Sequence, residues 1–209
     1  PAHVHVFATA AWSAVPLPGH PVLIWGRCFT PRVESAERPL APEALAPVAG
    51  EGVIHVGVFH GSREGHCPPG QKVTAPFRDA EALASPFVYL AAGHYHAPSR
   101  IESFDDAAPA HGPRLAYAGS AAAVLPGETG THGALEARIV LGPGRAALDL
   151  GYVALDDRRV HELPLDVTGA ASGDHVDRMV EAALAGAGVA PGDIVTVRPN
   201  GENLAVFAT

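Results

Sequence analysis

The hydrophobic pattern of the first two-thirds of the chain is a series of short apolar runs typical of β-strands. Most runs are rich in β-branched and aromatic residues, and the run at 87–93 is nearly continuous, as expected for a strand buried on both faces. The last two runs flank Gly-Pro-Gly-Arg, a turn sequence that predicts a hairpin. The predicted strands cover 3–8, 22–29, 53–59, 87–93, 114–120, 133–141 and 146–155.

Helical patterns lie between the early strands. The segment 38–49 is a short helix candidate interrupted by proline. The segment 77–85 carries acidic residues early and stops at a Ser-Pro pair, as helices often do. The alternation of strands and helices predicts an α/β (α+β) sandwich with a hairpin-rich later part.

The pattern changes near Arg158, so we predict a main domain over 1–157 and a small appended α/β module over 158–209. The module begins with a strand, and Ser172 is a plausible helix N-cap. An Asn-Gly turn then predicts two strands that surround it. The apolar face of the helix is predicted to contain Val176, Met179, Val180, Ala183 and Leu184.

Composition narrows the possible partners and compartments. The 209 residues are 47% hydrophobic, so a sizeable core is expected. The net charge of -8 argues against a domain that binds nucleic acid through its phosphates alone. Cys28 and Cys67 form no CxxC motif or disulfide framework, which favours a reducing cytoplasm. No apolar run is long enough to cross a membrane.

Three of the 12 histidines follow predicted strands at tight polar turns. His60 ends the run 53–59, and His94 and His96 lie in Gly-His-Tyr-His after the next strand. In α/β sheets, ligand-binding residues gather at the carboxyl ends of strands. Residues i and i+2 of an extended chain share a face, so His94 and His96 can face one cavity while Tyr95 turns away. Imidazole binds manganese, iron or zinc, and Gly93 leaves room for the approach.

An isolated His-x-His is usually not a metal site, and His3 and His5 show the same spacing inside a predicted strand. Because of this, we interpret that pair as the polar face of a strand. His66 is predicted to lie in a loop, either lining the cavity or simply on the surface. His55 is expected in mid-strand, whereas a surface or turn position is expected for His20, His111, His132, His161 and His175.

Taken together and in order, these segments resemble the calcineurin-like metallophosphoesterases, and most of all their DNA-repair exonuclease branch, the SbcD-type nucleases. The resemblance rests on the strand ending in His60 and Gly61, the Gly-His-Tyr-His turn, the Tyr-Ala-Gly-Ser segment ending at Ser120, and Gly-Glu-Thr-Gly-Thr-His-Gly before the hairpin. The segment 158–209 is similar to the start of the family's C-terminal capping module. The resemblance covers nearly the whole chain.

The resemblance implies two divalent metal ions, manganese first, with iron, zinc or magnesium as alternatives, roughly 3.5–4 Å apart. By the same resemblance, His60 and His94 would ligate one metal and His96 the other. Gly61 and Gly93 would shape the ligand loops, and Ser120 would support the site.

The sequence departs from the family pattern in one large respect. It contains no Asp-x-His or Gly-Asn-His-Asp segment, and its Gly-Asp-x-x-Asp match at 173–177 falls in the predicted helix of the appended module. In the family these three segments precede the strand that ends in His, and they supply the bridging carboxylate and the remaining ligands. We therefore expect the chain to represent the later part of the metallophosphoesterase domain plus the start of the cap, to bind two metals poorly, and to be inactive by itself.

The family reading implies DNA as the substrate, a coiled-coil ATPase subunit of the SbcC type as a partner, and a homodimer. Two alternatives stay open. One is a phosphodiesterase for small molecules or cyclic nucleotides, and the other is a non-catalytic scaffold or binding module derived from the same fold. By position near strand ends, Arg27, Arg63 and Arg100 are candidates for DNA contact, although exposed arginines are more often simply solvated.

Overall fold

The computed structural model describes residues 4–29, 37–46, 48, 53–67, 72–101, 115–142 and 145–202. The chain divides into two compact units, each built from two segments. The first unit contains Pro1–Gly119 and Ala134–Val153, and the second contains Ser120–Gly133 and Ala154–Thr209.

A six-stranded sheet forms the centre of the first unit, in the order β1-β2-β3-β4-β6-β5. The four inner strands β2, β3, β4 and β6 are parallel, and an antiparallel strand lies at each edge. The carboxyl ends of the parallel strands therefore share one edge of the sheet. The strands are β1 (Ser13–Pro16), β2 (Val22–Gly26), β3 (Ile54–His60), β4 (Tyr89–Gly93), β5 (Ser99–Ile101) and β6 (Leu115–Tyr117).

Both faces of this sheet are covered, which explains the nearly continuous apolar run at 87–93. On one face, the helices α1 (Pro42–Leu45) and α2 (Asp79–Ala84) join an aromatic-rich core. On the other face, the two-stranded sheet of β7 (Gly133–Gly142) and β8 (Arg145–Ala154) contributes leucines and isoleucine to a second core. The fully buried members of the first core include Phe77, Phe87, Leu90, Leu115 and Tyr117.

The second unit contains a β-α-β element made of β9 (Val160–Asp166), α3 (Gly173–Gly186) and β10 (Ile194–Asn200), whose strands pair in parallel. The predicted N-cap is confirmed, since the Ser172 hydroxyl accepts a hydrogen bond from the His175 amide. The predicted apolar helix face is confirmed for four of its five residues, all but Leu184, which join the core of this unit. The core of this unit contains Leu165, Val167, Ala170, Val176, Met179, Val180, Ala183 and Val197.

Some sequence predictions were wrong. Residues 4–8 lie outside any strand, with Val4 and Val6 exposed, because no neighbouring strand supplies a hydrogen-bond ladder. The interpretation of His5 as part of a strand face fails with it, and His3 lies outside the described residues. The unpredicted edge strand β1 forms at Ser13–Pro16 instead. The proline-interrupted helix predicted for 38–49 shrinks to Pro42–Leu45.

The remaining elements agree with the predicted mixed α/β class, which has several sheets and few helices. The strand predicted after the Asn-Gly turn extends into 203–209, outside the described residues. Within the described part of the chain, no helix is both long and apolar enough to span a membrane.

Candidate metal site

The carboxyl ends of β3 and β4 bring two of the three predicted ligands together. His60 is the last residue of β3 and pairs in register with Gly93, the last residue of β4. His94 follows directly, and its Nδ1 lies 3.1 Å from Nε2 of His60. Both imidazoles are half-buried. The parallel sheet therefore converts a separation of 34 residues along the chain into direct contact of two ring nitrogens.

The surroundings keep both rings neutral. Burial lowers the pKa of His60, and repulsion from a charged His94 lowers it further. Burial also lowers the pKa of His94; the Lys72 carbonyl opposes this effect, and His96 adds to it. A neutral imidazole has a lone pair on one ring nitrogen, so both side chains can act as metal ligands at neutral pH.

His94 has an unusual backbone conformation, with a φ of 137°. Apart from Ala75, it is the one non-glycine residue with positive φ among the described residues. Such conformations cost of order 1–3 kcal/mol and concentrate at functional sites. The His94 Nε2 atom is also buried and makes no hydrogen bond of normal geometry with any described residue.

The distance between the two nitrogens fits joint coordination of one metal ion. With typical metal–nitrogen distances of roughly 2.1 Å, a nitrogen separation of 3.1 Å corresponds to a ligand–metal–ligand angle of roughly 95°. That angle is close to the value expected for octahedral coordination. The same two atoms satisfy the geometry of a hydrogen bond, in which one ring donates and the other accepts.

A complete two-metal centre is not assembled by the described residues. His96 is exposed, and the described residues contain no group of three or more His, Cys, Asp or Glu side chains suited to holding a metal ion. The expected sharing of one face by His94 and His96 assumed an extended backbone, whereas β4 ends at Gly93 and the chain bends at His94 and His96. The described residues thus fit a single metal held by two imidazoles.

Aromatic side chains enclose the histidine pair. The Phe29 ring stacks on His60 with a centroid distance of 4.9 Å, and the Tyr95 ring lies 4.9 Å from His94. Tyr95 belongs to the aromatic core and is 7% exposed, while its ring stays in contact with His94. Its hydroxyl donates to the Arg63 carbonyl at 3.2 Å, and the Tyr117 hydroxyl donates to the Gly61 carbonyl at 2.7 Å.

The glycines near the histidine pair differ in how much space their surroundings leave for a side chain. A Cβ at Gly61 would lie 2.6 Å from the Ala75 carbonyl, so that position must be glycine unless the loop moves. Gly119, in the Tyr-Ala-Gly-Ser segment, has a φ of 79°, and a Cβ there would lie 2.5 Å from the His96 carbonyl oxygen. At Gly93, by contrast, a Cβ would meet nothing closer than 3.8 Å, so the described residues leave room for a side chain there.

Ser120 belongs to the second unit, where it has a partner that sequence reasoning missed. Its hydroxyl lies 2.9 Å from Nδ1 of His132, and Nε2 of His132 lies 3.1 Å from the Glu128 carbonyl. A surface or turn position was expected for His132. It lies in a loop but is 4% exposed, and both its ring nitrogens are paired within that loop. His132 belongs to the Gly-Thr-His-Gly segment, and that motif is the sequence feature that could have indicated its role.

Two of the arginines considered for DNA contact are engaged in ion pairs. Arg27 is buried and pairs with Glu37, and Arg63 makes a bidentate pair with Asp79 at 2.6 and 2.5 Å. The pairs anchor these guanidinium groups inside the first unit. The Arg100 side chain is outside the described set. A neighbouring network connects Arg38, Glu64, Arg78 and Glu81.

The second unit contains a histidine–carboxylate pair formed by His161 and Asp193. For His161 only a surface or turn position was expected. His161 Nε2 lies 2.9 Å from an Asp193 carboxylate oxygen, and both side chains are largely covered. The Arg159 and Ala190 amides, followed by His161, lower the pKa of Asp193 to about 2. The pair connects β9 to the residue before β10. His55 lies within β3, as predicted; it is also buried, and it accepts a hydrogen bond from the Trp25 indole.

Comparison with known proteins assigns no family to this chain. A scan against protein-family models finds no match. A search of curated proteins likewise finds no match.

Proposed function

We propose that the chain forms part of a metal-dependent phosphodiesterase site of the calcineurin-like metallophosphoesterase type, acting on DNA. The observation that carries the proposal is the approach of His60 Nε2 and His94 Nδ1 to 3.1 Å at the carboxyl ends of adjacent parallel strands. Further support comes from the order of the motifs and from a sheet covered by helices on one face and a hairpin on the other.

The residues of this chain would hold one metal through two neutral imidazoles. When bound, the metal would act as a Lewis acid on a phosphoryl oxygen and lower the pKa of a bound water. The aromatic rings of Phe29 and Tyr95 limit the movement of the histidines, so the two nitrogens are already close before metal binds. His96, which is exposed, remains our proposed ligand for the second metal.

The chain alone is proposed to be inactive in catalysis. Two divalent cations need carboxylates to neutralise their charge, and no bridging carboxylate motif of the family precedes His60 in this sequence. The Gly-Asp-x-x-Asp match at 173–177 lies on α3 of the second unit. If the coding region that precedes Pro1 encodes the missing Asp and Asn motifs, the nuclease proposal gains its remaining ligands. A stop codon or an unrelated domain there would favour the scaffold alternative instead.

Titration with Co²⁺ tests the metal site directly, because coordination by imidazole nitrogens shifts and strengthens the weak visible absorption that Co²⁺ has in water. We expect the intact chain to show saturable binding, and the double variant His60→Asn/His94→Asn to lose it. His20→Asn is the matched control, since it removes an exposed histidine of the same unit. Binding that survives in the double variant would refute the assignment.

Hydrolysis assays test the functional part of the proposal. With Mn²⁺ present, we expect the 209-residue chain to cleave neither single-stranded DNA nor a small aryl phosphodiester. If the coding region that precedes Pro1 encodes the missing motifs, the chain extended by that region should cleave DNA in preference to the small diester. Full activity of the unextended chain would contradict its proposed incompleteness, and preference for the small diester would favour the alternative substrate class.

A further inference from the structure

Two buried tyrosine hydroxyls join the loops that carry the histidines. Tyr95 lies between His94 and His96 in the loop after β4, and Tyr117 ends β6. Their hydroxyls donate to the Arg63 and Gly61 carbonyls, both in the loop after β3. The Tyr95 hydroxyl therefore connects the segment following His60 to the loop after β4, and the Tyr117 hydroxyl connects it to the end of β6.

The two tyrosines also act on each other. Their rings pack with a centroid distance of 4.7 Å, and they are 7% and 1% exposed. Gly61 is itself buried, and its amide donates to the Gly93 carbonyl at 3.1 Å. The backbone of Gly61 is thus held from both sides. Its amide donates to β4, and its carbonyl accepts from Tyr117 at the end of β6.

Packing alone does not require these hydroxyls. Phenylalanine would fill nearly the same volume in both places, so the hydroxyls matter for the two carbonyls that they bind. Without the Tyr117 hydroxyl, the buried Gly61 carbonyl would lose its partner, and an unpaired buried carbonyl favours movement of the loop. Because Gly61 follows His60 directly, such movement changes the separation of the two imidazoles.

We infer that Tyr95 and Tyr117 are positioning residues that set the distance between His60 and His94 for metal binding. The inference rests on the metal site proposed above and adds residues that contact no metal themselves. Groups that hydrogen-bond metal ligands directly change metal affinity by roughly 10–100-fold when removed. Because these tyrosines bond the backbone beside a ligand, we expect effects no larger than the lower end of that range.

The experiment measures Co²⁺ dissociation constants for Tyr95→Phe and Tyr117→Phe. We expect Tyr117→Phe to raise the constant roughly 10-fold, and Tyr95→Phe to raise it less, since its hydrogen bond is longer at 3.2 Å against 2.7 Å. Tyr89→Phe is the matched control: Tyr89 is a buried tyrosine of β4 that belongs to the core on the opposite face of the sheet.

A second control separates positioning from general stability. Val56→Ala removes buried apolar atoms from β3 on the opposite face and should destabilise the unit without changing the Co²⁺ constant. An equal loss of affinity in Val56→Ala and Tyr117→Phe would overturn the inference. Tyrosine variants within twofold of the intact chain would overturn it as well.

Nitrogen NMR of the two imidazoles keeps the inference testable if the metal proposal fails. In the metal-free chain, Tyr117→Phe should shift the ring-nitrogen resonances of His60 and His94, and Tyr89→Phe should leave them in place. Failure of the intact chain to bind Co²⁺ through these histidines would defeat the proposed function alone. Unchanged ring resonances in Tyr117→Phe would defeat the positioning role.

Discussion

The positive φ of His94 leads to a prediction that compares two substitutions at one site. Replacement by alanine removes the imidazole and keeps a Cβ at a φ of 137°, whereas replacement by glycine removes both. The loss of ring contacts with His60 and Tyr95 is common to the two variants. Their difference in stability therefore reports the backbone conformation.

The expected magnitude follows from two opposing effects. Relief of an unfavourable φ stabilises the glycine variant by of order 1–3 kcal/mol. The greater freedom of glycine in the unfolded chain costs roughly 0.5–1 kcal/mol. We therefore expect His94→Gly to be more stable than His94→Ala by about 1 kcal/mol, although glycine normally destabilises a folded protein.

Tryptophan fluorescence during urea denaturation provides the measurement. The chain has 2 tryptophans, Trp12 and Trp25, and both are buried in the first unit, so the signal reports the unit that contains His94. With a urea slope of roughly 2 kcal/mol per molar, the midpoints should differ by roughly 0.5 M.

His96 offers the matched control two residues away. It is exposed and has no positive φ, so His96→Gly should be less stable than His96→Ala by roughly 0.5–1 kcal/mol. The sign of the difference should thus reverse between the two positions. The same sign at both positions would refute backbone strain at His94.

Two further predictions address packing and pH. Gly61→Ala should destabilise the first unit by roughly 1–3 kcal/mol, because its Cβ would meet the Ala75 carbonyl at 2.6 Å, whereas Gly93→Ala should change the urea midpoint little; equal effects would contradict this steric account. Because the pKa of Asp193 is lowered to about 2, the stability it contributes is present above its unfolded pKa of roughly 3.9 and is lost as pH falls towards 2. The Arg159 amide, which donates to that carboxylate, should therefore shift in NMR spectra with a midpoint near pH 2, and a midpoint near pH 4 would show that the carboxylate is not held.

The sequence predicts the central strands well, since burial on both faces leaves a signal in every residue. The run 87–93 has that signal, and β4 forms within it. The apolar alternation at 3–8 gives a similar signal without a strand, because a strand also needs a neighbour with free hydrogen-bonding groups. The unpredicted β1 contains Pro16 and mostly exposed residues, so periodicity could not reveal it.

The candidate site was predictable in part. The positions of His60 and His94 after consecutive strands indicated that they would meet, and their rings are in contact. Spacing alone suggested that His96 would share their cavity, but the strand ends at Gly93 and the chain bends at His94 and His96, which spacing does not reveal. The roles of the Tyr95 and Tyr117 hydroxyls depend on backbone carbonyls far away in sequence, for which no side-chain pattern exists.

The division of the chain has a consequence for its synthesis and for any attempt to split it. The segment Ser120–Gly133 belongs to the second unit but is translated before Ala134–Val153, which completes the first. On a ribosome, the hairpin face of the first sheet therefore becomes available only after part of the other unit has emerged. For the same reason, no single cut yields both units whole, and a fragment ending at Gly119 would leave one face of its sheet bare.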